Sequence, residues 1–313
     1  MDIKSVFLNS DLPNEIYMRV LLGVESEERT VWLLRKVLYG LKQASREWYL
    51  KLKKELEDIE FKRNDAGYGI FTKNISGKLF VIAVYVDDFL LFSDDIKAVK
   101  LVKEKLSAYF EMKDLDEAQW ILQMKIERSK DEDGLRTLSI SQAQYIESIL
   151  EQHGMIDSNP VKTPMMNNLQ LPVLTQPEVD VTEYQRSIGS LMYLIVCMYP
   201  DITYAMGVLS CHVAYPGRVH LTAIKHIFCY LRGTSQYKLN FKAQNVENSP
   251  PIVFVDLDWA GDKADRKSML GYVILIDGGG ISWGSKKQTS VALLTVEAEF
   301  IAASTAVKEI IWF

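Results

Sequence analysis

Cysteine is scarce in this chain. Cys197, Cys211 and Cys229 are the only three in 313 residues, and none forms a C-x-x-C pair. That spacing excludes a thiolate metal site and a disulfide-stapled scaffold, and it fits free thiols in a reducing compartment. Histidine is nearly as rare. His153, His212, His220 and His226 have no ligand spacing, since even the nearest two, His220 and His226, lie six residues apart. Long apolar runs are missing as well. Leu79–Phe92 is interrupted by Asp87-Asp88, and the run from Ile188 to Tyr199 stops at Pro200-Asp201. A spanning helix needs roughly 20 apolar residues, so no membrane segment is expected. The opening Met1-Asp2-Ile3-Lys4 lacks the basic start and apolar stretch of a signal peptide. A soluble intracellular protein follows, cytoplasmic or nuclear. Positive charge is not in excess, with 36 Lys+Arg against 41 Asp+Glu and a net charge of −5. A wholly basic nucleic-acid coat is thereby excluded, while a local basic face is not.

What is present is ordinary globular composition, 48% hydrophobic and 25% charged. The length suggests about two domains and suffices for a sizeable core. Residues 31–63 carry nine Lys/Arg against five Asp/Glu. Within them Trp48, Leu52, Leu56 and Ile59 recur at helical spacing, predicting a helix over Arg46–Glu60. Its other face holds Lys51, Lys53 and Lys54, either a solvated face or a phosphate-contacting one. Helices are predicted over 96–109 and 142–153. A strand pair is predicted from Trp120–Glu127 and Leu135–Ile140 across Asp131–Gly134. Four of the nine prolines fall in 159–178, which reads as an extended connector. A mainly helical stretch follows over 183–232. The polar segment 244–251 marks a second boundary. Strands are then expected at 252–256, 270–276, 281–283 and 289–294, with a turn at Gly278-Gly279-Gly280. A last helix opens at Thr295, a plausible N-cap, with Glu297 in its first turn.

Two sets of carboxylates carry the chemistry. Tyr85-Val86-Asp87-Asp88 places adjacent carboxylates at the tip of an almost wholly apolar hairpin. Burying them unpaired costs several kcal/mol, roughly, so they need water or a cation. An exposed Asp-Asp turn is the alternative. Asp2 heads a second strand-like run, Asp2–Leu8. An Asp on one strand and an Asp pair on another are what a two-metal site draws on. In the second set, Asp256 ends the run Ile252–Asp256 and Glu297 opens the final helix. Asp258, two residues along the strand, shares the face of Asp256 and either assists or is solvated. Glu297 read alone is a helix-dipole carboxylate.

The chain resembles the polymerase region of copia-type LTR retrotransposon Pol polyproteins. The motifs lie in collinear order. They are Asp2-Ile3-Lys4-Ser5-Val6-Phe7-Leu8-Asn9, Leu38-Tyr39-Gly40-Leu41-Lys42-Gln43-Ala44 and Tyr85-Val86-Asp87-Asp88, then Gly189-Ser190-Leu191-Met192-Tyr193 and Tyr230-Leu231-Arg232-Gly233-Thr234. Last come Asp258-Trp259-Ala260-Gly261-Asp262, Asp265-Arg266-Lys267-Ser268 and Glu297-Ala298-Glu299-Phe300. The resemblance implies an α+β fold with a reverse transcriptase palm and thumb over 1–158, without fingers, and a connection over 159–250. It implies the N-terminal half of an RNase H-like α/β domain over 251–313. It further implies two Mg²⁺ (or Mn²⁺) ions per active site. Asp2, Asp87 and Asp88 would bind metal in the polymerase site, and Asp256 and Glu297 in the RNase H site. Phe7 resembles the aromatic gate that presses on a ribonucleotide 2′-hydroxyl. Gln43 falls in the segment lining the incoming nucleotide, with an exposed loop polar residue as the alternative. The implied partners are an RNA template, an RNA–DNA hybrid and deoxynucleoside triphosphates.

Some positions depart from the family pattern. Ser45 replaces a usual Pro, Asp116 and Gln123 usual glycines, Tyr199 an Arg and Leu221 a Trp. Fingers upstream and further RNase H carboxylates downstream are expected in the family, so the chain reads as a truncated fragment. Three functions are weighed. They are an RNA-directed DNA polymerase with an RNase H region, an inactive remnant that at most binds nucleic acid, and a domesticated protein-contact module.

Overall fold

The structure, a computed structural model, describes all residues except Leu22, Ser26, Glu28, Arg29, Ala66, Asp133, Asn168, 244–249, 260–265 and Phe313. Most of the polar boundary expected at 244–251, and the motif residues Ala260, Gly261, Asp262 and Asp265, therefore lie outside the described residues. The chain forms two compact units, Met1–Ala118 and Gln119–Phe313. Helices and antiparallel sheets make both, in agreement with the expected α+β class. No helix among the described residues is long and apolar enough to cross a membrane.

The first unit runs β1 (Asp2–Ile3), a 3₁₀ turn (Val6–Asn9), β2 (Asp11–Arg19), β3 (Val31–Lys36), α1 (Ala44–Asp58) and β4 (Lys62–Arg63). It continues with β5 (Ile70–Ile75), β6 (Lys78–Tyr85), β7 (Asp88–Phe92), α2 (Ile96–Tyr109) and β8 (Met112–Lys113). Six strands form one sheet in the order β4-β5-β6-β7-β1-β8. Its apolar side meets both helices. Trp48, Leu52 and Leu56 of α1 and Ala98, Val102 and Leu106 of α2 are buried with Ile3, Phe71, Phe80, Ile82 and Phe89. Asp95 caps α2 by accepting from Lys97 N at 2.8 Å. Along α1, Lys51 pairs with the buried Glu55 at 2.6 Å and Lys53 with the exposed Glu57 at 3.6 Å. With carboxylates taking two of the lysines, the solvated reading is favoured over the phosphate-contacting one. β2 and β3 form a separate two-stranded ribbon, with Tyr17, Trp32 and Leu33 exposed.

Two expectations change here. The strand predicted over Asp2–Leu8 ends at Ile3, because Ser5 adopts φ 50° and a 3₁₀ turn follows. Asn9 Nδ2 closes that turn on Val6 O at 3.1 Å. The hairpin turn is Val86-Asp87 rather than Asp87-Asp88, since Tyr85 pairs with Asp88. Asp88 is thus already a strand residue.

The second unit runs β9 (Trp120–Ile121), β10 (Met124–Lys130), β11 (Arg136–Ser141), α3 (Ala143–Gln152), α4 (Val181–Cys197), a 3₁₀ turn (Pro200–Ile202), α5 (Thr203–Ser210) and α6 (Arg218–Thr234). Then come β12 (Leu239–Lys242), β13 (Ile252–Asp258), β14 (Met269–Ile276), β15 (Gly279–Lys287) and α7 (Thr295–Trp312). One sheet has the order β12-β11-β10-β9, another β13-β14-β15. Tyr184, Leu191, Leu194, Ile224, Ile227 and Leu231 centre the helical core. The connector 159–178 is neither helix nor strand among its described residues, as its prolines predict.

Four details differ from expectation. The predicted strand Trp120–Glu127 is two strands, broken where Leu122 and Gln123 take φ 47° and 59°. The glycine run is not all turn: Asp277 and Gly278 turn with φ 51° and 78°, while Gly279 and Gly280 belong to β15. Gly279 must lack a side chain there, because a Cβ would lie 2.3 Å from the Phe241 ring. Residues 289–294 form no strand, and Thr295 is the first helical residue rather than the cap. Glu297 Oε2 instead accepts from Leu293 N at 2.8 Å, tying the approach to α7.

Asp116 and Gln123, which stand where glycine is usual, both have left-handed backbone, φ 57° and 59°. That conformation costs a side-chain-bearing residue about 1–2 kcal/mol, less for Asp than for Gln. Gln123→Gly is expected to raise the unfolding free energy, read as a higher denaturation midpoint, by about 1 kcal/mol, and Asp116→Gly by less. An unchanged midpoint in Gln123→Gly would contradict the strain. The second prediction concerns pH. His220 Nδ1 accepts from Gly217 N at 2.8 Å at the start of α6, and the His212 ring stacks on it at 3.9 Å. Burial lowers both pKa values from the ordinary 6.5; at His220 the neighbouring His212 adds to this, while the Pro172 backbone and then Glu178 oppose it. The unfolded chain then binds more protons than the folded one below about pH 6.5. Stability is full above that value and falls as pH drops through it. Thermal melts between pH 7.5 and 5.5 should show this loss, and His212→Phe should reduce it.

Candidate functional site

The first carboxylate set is brought together by strand pairing. β1 lies between β7 and β8, with Asp2 opposite Asp88 on one side and Lys113 on the other. Ile3 N donates to Asp87 O at 3.0 Å and Phe89 N to Met1 O at 2.8 Å. Those two bonds flank the Asp2–Asp88 pair, which is therefore of the non-hydrogen-bonded kind, where side chains approach most closely. Both carboxylates project on one face, since paired residues share a face. Their neighbours Ile3 and Phe89 point the other way and are buried. Alternation thus anchors the pair from below. Asp87 sits in the turn, one residue before Asp88.

The electrostatics follow from this placement. Burial raises the Asp88 pKa above the ordinary carboxylate value, and the charges of Asp87 and Asp2 raise it further. Like charges directly opposite one another are destabilising. Oxygen-only donors under mutual repulsion fit a hard divalent cation in their chemistry. Among the described residues, however, no three His, Cys, Asp or Glu side chains converge as a metal site. The side chains of Asp2, Asp87 and Asp88 are only partly buried.

Phe7 and Gln43 lie in the same unit, and Phe7 reaches the turn beside this region. Phe7, on the 3₁₀ turn, meets the Tyr39 ring edge-on, with centroids 4.7 Å apart. It also lines a cavity of about 150 Å³ with Trp48, Tyr49, Leu52, Tyr68 and Val86. Gln43 precedes α1 and is partly buried, and its carbonyl accepts from Glu47 N at 3.0 Å. Its side chain makes no capping bond. One residue of this neighbourhood escaped the sequence reading. Trp48 reads there only as part of an apolar stripe, yet its Nε1 donates to Val86 O at 2.9 Å. Hydrophobic periodicity counts indole as apolar and carries no signal of that donor.

Strand pairing does not align the second set as it does the first. Asp256 pairs with Gly271, which pairs with Ser285, and so shares a face with Trp283. Trp283 Nε1 donates to Ile195 O of α4 at 2.8 Å, so that face looks toward the helices before the sheet. Leu257, Leu270 and Gln288 lie on the opposite face, where Gln288 Nε2 reaches Ala298 O of α7 at 2.9 Å. The helix carrying Glu297 thus packs on the side that Asp256 turns away from. Asp256 and Asp258 instead line an open groove of about 520 Å³ with Pro200, Thr203 and Tyr204. Both aspartates and Glu297 are exposed.

Residues 1–167 match the family described as reverse transcriptase (RNA-dependent DNA polymerase). The chain is similar to the retrovirus-related Pol polyprotein from transposon TNT 1-94 of Nicotiana tabacum, 41% identical over 100% of this chain and 24% of that protein. It is 35% identical to the corresponding polyprotein from transposon RE1 of Arabidopsis thaliana, over 100% of this chain and 21% of that protein. A transposon Ty5-1 protein of Saccharomyces cerevisiae is 31% identical over 99% of this chain and 100% of its own length. The chain thus spans about a quarter of the length of the two plant polyproteins.

The raised Asp88 pKa makes a testable statement. The folded state holds its proton to higher pH than the unfolded state, so stability falls as pH rises past the ordinary carboxylate value. Asp88→Asn should therefore melt a few degrees higher than the parent at pH 7, roughly the effect of a kcal/mol or less. That difference should vanish near pH 3, where the parent carboxyl is neutral in both states. Melting curves of the two proteins across this range check it.

Proposed function

The chain belongs to the reverse transcriptase family of copia-type transposon Pol polyproteins, and on that membership we propose that it carries the core of an RNA-directed DNA polymerase. Residues 1–158 are read as palm and thumb, 159–250 as connection, and 251–313 as the N-terminal half of an RNase H-like domain. The observation that carries the polymerase reading is the side-by-side pairing of Asp2 and Asp88 next to Asp87. Asp2, Asp87 and Asp88 would hold Mg²⁺ or Mn²⁺, two ions per site. Bound there, the ions supply Lewis-acid charge for nucleotidyl transfer from a deoxynucleoside triphosphate to a primer 3′-hydroxyl. The carboxylates bring three negative charges that are costly without such a counter-charge.

The remaining residues act by shape and contact. Phe7, steadied edge-on by Tyr39, presents a ring that favours deoxynucleotides, because only the 2′-hydroxyl distinguishes the two sugars. Gln43, ahead of α1, is read as lining the nucleotide pocket. An RNA template and the RNA–DNA hybrid it becomes are the proposed macromolecular partners. The lysines of α1 contribute little to backbone contact in this reading, since Glu55 and Glu57 pair with two of them.

For residues 251–313 the strand-strand-strand-helix order, with Asp256 on the first strand and Glu297 in the first helical turn, supports the RNase H-like assignment. The opposed faces of Asp256 and α7 favour a second reading of this part, as a remnant without hydrolytic activity. The test is primer extension on an RNA template with Mg²⁺, alongside hybrid cleavage. Extension is expected from the parent, with a loss of at least about 100-fold in Asp87→Asn, the scale of removing a charge-stabilising group at a reaction centre. No extension from the parent, with hybrid binding that weakens steeply in salt, would favour a nucleic-acid-binding remnant. Hybrid cleavage abolished by Asp256→Asn would overturn the inactive reading of 251–313.

A further inference from the structure

We propose that Trp48 is a positioning residue that fixes the Val86–Asp87 turn and through it the carboxylate set; this rests on the polymerase reading of Asp2, Asp87 and Asp88. Trp48 is 3% exposed, and its indole N–H donates to Val86 O at 2.9 Å, across 38 residues of sequence. The ring cannot follow a moving turn. It packs edge-on against Phe110 at 5.3 Å and lies in the core with Leu52 and Leu56.

The turn needs such a tie. Val86 adopts φ 56°, a region that β-branched residues avoid. It is also 42% exposed, so burial does not hold it. The space beneath it is not filled, because the cavity of about 150 Å³ borders Val86, Phe7 and Trp48. Its rim is closed by Gly69, where a Cβ would lie 2.6 Å from Val84 O, so the strand comes as near as backbone allows and still leaves the void. Packing therefore holds the turn weakly, and a directional bond fixes it. A hydrogen bond to a single carbonyl suits this role, since it orients one peptide plane.

The bond connects to the carboxylates through the backbone. Val86 O is held by Trp48, and the next carbonyl, Asp87 O, accepts from Ile3 N at 3.0 Å. The turn is thus pinned at two successive carbonyls, one to α1 and one to β1. Asp87 lies between those two anchors, and Asp2 directly precedes Ile3. Tyr85 and Asp88 still close the hairpin when the first anchor is released, so what loosens is the Val86–Asp87 peptide between them, and the spacing of Asp87 from Asp2 is then set less firmly. Strained backbone held by its surroundings is common at functional sites. Here the holding group is identified.

The test uses Trp48→Phe in the full chain, which keeps a buried ring and removes the donor. Amide hydrogen exchange is read without metal or nucleic acid. The Ile3 and Phe89 amides should exchange at least tenfold faster, while Val102 in α2 is unchanged. Mn²⁺ binding, followed by paramagnetic broadening, should weaken by about tenfold. In extension assays kcat should fall with little change in template affinity. Leu52→Ala, which lines the same cavity without donating to the turn, should lower stability without selective exchange at Ile3 and Phe89. Unchanged exchange at both amides in Trp48→Phe overturns the proposal. Faster exchange with no extension by the parent would sink the polymerase reading alone, because exchange needs no activity. If Trp48→Phe does not fold, the Trp48 indole N–H of the parent decides. Protection matching that of Ile3 supports the tie, and free exchange overturns it.

Discussion

Two carboxylates facing each other across a pair of antiparallel strands are an unfavourable arrangement, and the first unit is organised around tolerating it. Asp2 and Asp88 sit at the closest-approach position of the ladder. What keeps them there is the opposite side of the same strands. Ile3 and Phe89 are almost wholly buried against α1 and α2, so displacing either carboxylate means withdrawing a core side chain. Each such side chain contributes roughly 1.5–3 kcal/mol of burial, more than exposed like charges cost one another. The core thus overrides the repulsion, and the Asp88 pKa is raised, first by burial and then by the neighbouring charges of Asp87 and Asp2.

Much of this was legible in the residues. The α1 stripe, both Asp runs and the α2 and α3 boundaries follow from period and capping, which are local properties. The helix expected over 96–109 is the clearest case, found as Ile96–Tyr109 with Asp95 bonded to two amides at its start. Non-local properties were less legible. The Asp2 run is apolar enough for a full strand, but Ser5 in a left-handed conformation ends it after Ile3. β2 and β3 were not anticipated, because their apolar residues are exposed and alternate weakly. The Trp48 bond was hidden because a side chain that fits an apolar pattern can still carry a donor.

The second carboxylate set shows the same limit more sharply. Asp256 and Glu297 stand at positions that fit a shared site by order along the chain. Facing is decided by parity along β13, and one residue of register exchanges the two sides of a strand. In the observed register Asp256 faces Trp283 and the groove at Pro200–Tyr204, while α7 lies across the sheet. Motif order conveys which residues belong together in a family; it does not convey which way each one points in a given chain.

The β2–β3 ribbon has a consequence of another kind. Two strands paired only with each other have an unmatched row of peptide groups along each outer edge, and beside the exposed Tyr17, Trp32 and Leu33 they carry exposed Asp11, Glu15, Arg19, Arg35 and Lys36. Such a ribbon is only marginally stable alone in water, and charges along an edge guard it against pairing with a further strand. The residues that make the ribbon polar thus also keep its open edges from recruiting one.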